Sequence, residues 1–162
     1  MTHDALFQLG MDFADQSTTQ TEDPNAPFAA ADALPKDHFI ERNGTKCAGA
    51  HLIIDLYEAE RLDDIDHIEK AMVECVEEAG ATLLHIHLHS FEPMGCEVAG
   101  VSGVAVLAES HISIHSWPEN GYAALDVFMC GDAQPEKCVE VLRRAFNPAR
   151  IAVSELLRGK GV

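Results

Sequence analysis

Basic residues are scarce in this chain: 11 Lys and Arg stand against 27 Asp and Glu, a formal net charge of −16 over 162 residues. That balance argues against nucleic acid as a partner, because phosphate binding is driven by Lys and Arg. A cationic small molecule is compatible with it, although acidic proteins are common. No stretch approaches the roughly 20 apolar residues of a membrane-spanning helix. The N-terminus MTHDALFQLG lacks the basic segment and apolar run of an export signal. The five cysteines are an odd number, and no Cys-x-x-Cys pair occurs among them. A structural zinc or a thioredoxin-like site therefore has no support, and free thiols in a reducing cytoplasm are expected. The Gly-x-Ser-x-Gly elbow of α/β-hydrolases is also missing. What remains is 47% hydrophobic, enough for one globular domain with a sizeable core.

Residues 1–44 read as a poorly ordered N-terminal extension. Gln16 to Thr21 and Pro24-Asn25-Ala26-Pro27 sustain no period, and Ala29 to Ala33 is low in complexity. The apolar-aromatic piece Leu6 to Phe13 is read as part of this tether, with docking on the domain or on a partner as the alternative. The domain is expected over 45–162. Ala50 to Tyr57 is a strand with Leu52, Ile54 and Leu56 on one face. Asp63 to Gly80 is a helix whose apolar stripe includes Ile68, Met72, Cys75 and Val76, capped by Asp63 or Asp64 and stopped by Gly80. Thr82 to His89 is a strand with His85, His87 and His89 on one face, and Val98 to Ala108 ends in a buried apolar run. Two more strands follow around the turn Trp117-Pro118-Glu119-Asn120-Gly121, then a helix from Pro135 to Phe146 and a strand from Ile151 to Leu157. The order β-α-β-β-β-β-α-β indicates an α+β two-layer sandwich, with two helices on one face of a mostly antiparallel sheet.

The densest chemistry lies between Glu109 and Gly131. Alternation places His111, Ser113, His115 and Trp117 on one face of the first strand, with Ser110, Ile112, Ile114 and Ser116 on the other. On the second strand Tyr122, Ala124, Asp126, Phe128 and Cys130 share a face. Three readings compete. Ser110 or Cys130 is a hydrolase nucleophile with His115 as base and Asp126 as orienter. Alternatively His85, His87, His89, His111 and His115 form a metal-binding module, although no carboxylate or fourth ligand stands at fixed spacing from the His strand. In the third reading, the segment is only an amphipathic sheet face.

Ala-Glu-Ser-His-x-x-x-His-x-Trp-Pro-Glu at 108–119, followed by Gly-Tyr-Ala-Ala-x-Asp-Val-Phe-x-Cys-Gly at 121–131, resembles the prokaryotic S-adenosylmethionine decarboxylase proenzyme family. Gly100-Val101-Ser102-Gly103-Val104 and Gly49-x-His51-Leu52 fit the same pattern, and the likeness spans about residues 47 to 157. The resemblance implies a pyruvoyl group as cofactor, made by the chain itself and standing in for pyridoxal phosphate. Ser110 attacks the Glu109 carbonyl, the acyl group shifts from nitrogen to oxygen, and β-elimination leaves Ser110 as the pyruvoyl cap of chain 110–162, separated from chain 1–109. Ser102 by hydrogen bonding and His115 as base assist this processing. The substrate S-adenosylmethionine forms a Schiff base, loses carbon dioxide, and receives a proton from Cys130. A thiol suits that task because its ordinary pKa is about 8.5. Glu119 matches the position that binds the ribose hydroxyls. Phe91 matches an aromatic that stacks on adenine, although Cys96 to Gly100 is inserted between its Phe-x-Pro-x-Gly segment and Val101. The product is the aminopropyl donor for spermidine, and a homodimer of cleaved units with sites near the protomer interface is expected. Arginine or ornithine as substrate of the same chemistry is the first alternative. A scaffold protein that never self-processes is the second.

Overall fold

Strand alternation, helix caps and two glycine-containing turns set the architecture of this chain. The computed structural model describes residues 39–91 and 98–161. The extension at 1–38, with the piece at 6–13, and the segment at 92–97 lie outside the described residues.

The described chain opens with a hairpin, β1 (Ile40–Arg42) and β2 (Thr45–Cys47). Its turn is Asn43-Gly44, both at positive φ (53° and 71°), the combination that a two-residue hairpin favours. The expected domain start at residue 45 is therefore corrected. Residues 40–44 belong to the fold, and Arg42 ties the hairpin down through Glu136 at 3.1 Å and Glu155 at 2.9 Å.

Six further strands form one sheet. They are β3 (Gly49–Tyr57), β4 (Leu83–Ser90), β5 (Val101–Leu107), β6 (Ser110–Trp117), β7 (Tyr122–Cys130) and β8 (Arg150–Arg158). Their spatial order is β4-β5-β6-β7-β3-β8, and every neighbouring pair is antiparallel. Helices α1 (Ile65–Ala79) and α2 (Lys137–Phe146) interrupt the strand sequence. The α+β two-layer sandwich expected from the sequence is the observed fold.

Local chemistry explains the helix ends. Asp64 caps α1 by accepting the His67 N–H at 3.0 Å. Arg61 at 2.8 Å is the first cause that holds the Asp64 carboxyl below its usual range, and the His67 N–H is the second. Gly80 closes α1 in the left-handed conformation at φ 71°. The helices bury Ile68, Met72, Cys75, Val141, Leu142 and Phe146 against Leu52, Ile54, Ile112, Ile114 and Leu125 of the sheet. Truncating one such side chain, for example Phe146, costs about 3–5 kcal/mol. Ser116 is a polar group among them. Its hydroxyl bonds the Leu62 carbonyl at 2.7 Å and accepts the Val101 N–H at 2.8 Å, which offsets its burial.

The opposite sheet face carries the histidines, aromatics and carboxylates. Among the described residues no helix covers it, and Ile53, Val106, Trp117 and Leu156 are exposed there. No described helix is long and apolar enough to cross a membrane.

Candidate active site

The β5–β6 connection is the tightest in the sheet. Leu107 pairs with Ser110, leaving only Ala108 and Glu109 as the turn. Two-residue hairpins match the strand twist when turn residues take positive φ. Ala108 and Glu109 do not, and the mismatch falls on Ser110, at φ 147°. A residue with a Cβ rarely adopts that conformation, and holding it there stores about 1–3 kcal/mol.

The peptide bond just before Ser110 is held on both sides. The Glu109 carbonyl oxygen accepts the Cys130 backbone N–H at 3.0 Å and the Cys130 thiol at 2.8 Å. The buried Glu109 carboxylate accepts the Thr82 N–H at 2.8 Å and the Thr82 hydroxyl at 3.3 Å. Thr82 returns its carbonyl to the Ala108 N–H at 3.0 Å. Ser110 Oγ lies 3.2 Å from Nδ1 of His111. A cavity of about 260 Å³ opens here, lined by Ala48, Ala108, Glu109, Ser110, Phe128 and Cys130. Gly49 sits across from Cys130, and a Cβ there would run into the Met129 carbonyl and the Phe128 ring.

Ser102 and His115 form a separate cluster. They are register partners on β5 and β6, with Ser102 Oγ 3.1 Å from His115 Nδ1. Trp117 packs beside His115 with ring centroids 6.3 Å apart. Glu119, in the short 3₁₀ turn after β6, is exposed and accepts the Asn120 amide at 3.2 Å. His115 stands five positions beyond Ser110 on the same strand, which at the usual strand rise is roughly 17 Å. The structure thus brings Glu109, Ser110 and Cys130 together, and Ser102 with His115, but it does not unite the two sets within one chain.

The Ser110–His115–Asp126 triad of the hydrolase reading is not formed either. Asp126 is engaged by His51 Nε2 at 2.9 Å and by the Ser113 hydroxyl at 3.4 Å. Arg158 donates to His51 Nδ1 at 3.3 Å, which leaves the Nε2–H tautomer to donate to Asp126. His85, His87 and His89 line the exposed edge strand β4. Among the described residues no group of three or more His, Cys, Asp and Glu is placed to share a metal ion. Phe91, half-exposed, bonds the Gly100 carbonyl through its N–H at 2.9 Å and stands edge-on to His89. A larger groove on the outer side of α1, about 640 Å³, presents Asp66, Glu69, Lys70, Val73, Glu74 and Glu77, with neither a thiol nor a hydroxyl among them.

Sequence reasoning passed over His111 as a neighbour of Ser110. Alternation assigns the two residues to opposite faces, and only the positive φ at Ser110, invisible in the residue order, lets them meet.

The sequence model of the S-adenosylmethionine decarboxylase family matches residues 50–159. The chain belongs to the S-adenosylmethionine decarboxylase family. It is 43% identical over 115 residues to the S-adenosylmethionine decarboxylase proenzyme of Thermomicrobium roseum, covering 70% of this chain and 96% of that one. It is 46% identical over 117 residues to the proenzyme of the same name from Methanococcus vannielii, covering 70% and 92%. The crystal structure of the adenosylmethionine decarboxylase from Aquifex aeolicus superposes with a TM-score of 0.61 at 35% identity, covering 68% of this chain and 90% of that chain.

Proposed function

We propose that this chain is a self-processing S-adenosylmethionine decarboxylase that cuts itself between Glu109 and Ser110. The observation that carries the reading is the Glu109–Ser110 peptide: a serine at φ 147° follows a carbonyl that takes two hydrogen bonds from Cys130. An amide is a poor electrophile. Strain raises its ground state, and donors aimed at the carbonyl oxygen stabilise the oxyanion that forms when Ser110 Oγ attacks. The residues fit a pyruvoyl precursor, since the hydroxyl is flanked by a base and the carbonyl by two donors. The pyruvoyl group, once made from Ser110, supplies an electron sink for the charge left by loss of carbon dioxide.

The chain's own residues do the rest. Cys130, at the end of β7 beside Ser110, holds the carbonyl before the cut and returns a proton to the substrate carbon after it. Thr82 clamps the Glu109 carboxylate, so the peptide cannot relax out of its strained turn. Glu119 takes the ribose hydroxyls, and Phe91 offers its exposed ring to adenine. The relatives' names favour S-adenosylmethionine over arginine or ornithine as the substrate.

A homodimer completes the site in this reading. His115, too far along β6, and its register partner Ser102 on β5 cannot reach Ser110 in the same chain, and the cavity beside Ser110 is smaller than the roughly 300–1,000 Å³ of most small-molecule sites. The open sheet face of a second copy supplies the base for the elimination and the missing wall. Spermidine synthesis is the destination of the product, and the cytoplasm is the setting, in keeping with Cys47, Cys75 and Cys138 as thiols outside any disulfide. The test is a carbon dioxide release assay on S-adenosylmethionine, arginine and ornithine. Release from S-adenosylmethionine alone supports the proposal. Release only from a basic amino acid overturns the substrate choice.

A further inference from the structure

We propose that His111 is the general base that takes the Ser110 hydroxyl proton as that hydroxyl attacks the Glu109 carbonyl carbon. The inference rests on the self-processing reading of Ser110 and adds a residue to it. Ser110 Oγ and His111 Nδ1 are 3.2 Å apart, within reach for proton transfer. That contact is not a by-product of neighbouring positions, because adjacent strand residues point to opposite faces. Ser110 pairs with Leu107 and Met129, both buried on the helix side. His111 pairs with Val106 and Phe128, on the open side. The φ of 147° at Ser110 turns its hydroxyl out of the alternation and onto the imidazole, so the strain also positions the nucleophile.

The ring is braced. His111 stands edge-on to Phe128, with centroids 6.1 Å apart and planes at 67°. The other basic groups nearby are occupied. The Glu109 carboxylate is bound to Thr82, and His51 is paired with Asp126. His115 lies roughly 17 Å along the strand.

The step balances without any co-reactant. The Ser110 O–H proton passes to His111 Nδ1 as the Oγ–C bond to Glu109 forms, and Cys130 holds the resulting oxyanion. The tetrahedral centre collapses, the C–N bond breaks, and His111 returns the proton to the departing Ser110 nitrogen. An ester between Glu109 and Ser110 Oγ and a free amine result. The later elimination needs removal of the Ser110 Cα proton, a different proton at a different position, and is left to His115 of the partner subunit in the proposed homodimer. Two histidines then divide one maturation between them.

The experiment follows full-length chains from cell-free synthesis by intact mass, with and without neutral hydroxylamine, which cleaves esters and spares amides. His111→Ala and His111→Asn are compared with wild type and His115→Ala, with folding checked by circular dichroism. The asparagine variant keeps a planar polar group beside Phe128 and carries the test where alanine does not fold. Wild type splits. Both His111 variants stay as hydroxylamine-resistant amides and split at least about 100-fold more slowly, as loss of a general base predicts. Imidazole in the buffer restores splitting of folded His111→Ala, which a merely structural histidine would not allow. His115→Ala accumulates the ester and is cut by hydroxylamine. A folded His111 variant that splits at the wild-type rate, or that accumulates the ester, overturns the assignment. If wild type never splits, and hydroxylamine cuts no variant, the self-processing reading itself fails.

Discussion

Cys130 holds the Glu109 carbonyl oxygen with two donors from one residue, its backbone N–H at 3.0 Å and its thiol at 2.8 Å. The position follows from register. Met129 pairs with Ser110, so the next residue of β7 reaches past the end of β6 to the turn. One thiol is thereby available to two consecutive reactions at the same point in space.

Cys130→Ala separates those roles. The backbone donor survives, and a thiol is a weak donor, so the Glu109–Ser110 split slows by about tenfold, less than the 10²–10³ typical of a lost oxyanion donor. Decarboxylation of the mature form falls further. Cys130→Ser restores the split but not the turnover, because a hydroxyl gives up its proton far less readily than a thiol. Time-resolved intact mass and carbon dioxide release measure the two steps. Undiminished decarboxylation by Cys130→Ala would remove the thiol from the chemistry.

Chains lacking opposite halves of the site complement one another. Ser110→Ala keeps Ser102 and His115, and His115→Ala keeps Glu109, Ser110 and Cys130. Co-expressed, they form mixed dimers in which the His115→Ala chain completes its split, which it does not do alone. Differently tagged chains resolved by mass read this out. Failure of complementation between chains that sediment together contradicts a site shared across two copies.

Glu109→Ala lowers stability as well as processing. The buried carboxylate partners the Thr82 N–H and hydroxyl, and a donor left unsatisfied costs about 1–3 kcal/mol. A Ser110→Ala background prevents cleavage from confusing the measurement. The urea midpoint falls with little change in slope, and Glu109→Gln, which retains one acceptor oxygen, recovers part of the loss. An unchanged midpoint in Glu109→Ala would mean that the clamp contributes nothing.

Tyr122 gives the fold an alkaline signature. Its hydroxyl donates to Asp55 at 2.6 Å, and this bond, with desolvation second, pushes its pKa up to about 12. The unfolded chain loses this proton near pH 10, before the folded one does. The stabilisation is therefore fully present below about pH 10 and drains away between about 10 and 12. Tyr122→Phe is less stable than wild type at pH 8, by about 1 kcal/mol, and the gap closes across that window. A gap independent of pH would contradict the shift.

The layered architecture was readable because each strand alternates and each helix carries a single apolar stripe. Gly80 marked the end of α1 in residue types alone, whereas its start was legible only as Asp63 or Asp64 until the His67 N–H singled out Asp64. The β1–β2 hairpin was missed because two three-residue strands are too short for a period, although Asn43-Gly44 is itself a turn signal. The residue types of the site were legible in the motif, but their grouping was not. Nothing in the order of residues says that Ser110 leaves the alternation or that His115 is stranded on the far half of β6. The first depends on the turn at Ala108-Glu109 and on its refusal of positive φ, a backbone fact without a side-chain signature, and the second on β6 running unbroken from Ser110 to Trp117.

The central claim is that the Glu109–Ser110 bond is the chain's first substrate, and the intact mass of the purified protein tests it most directly. The account predicts two species, residues 1–109 ending in a free carboxylate and residues 110–162 beginning with a pyruvoyl group, with Ser110→Ala remaining a single chain of 17.6 kDa. A wild-type protein that stays one 17.6 kDa chain, or that splits at any other bond, would contradict it.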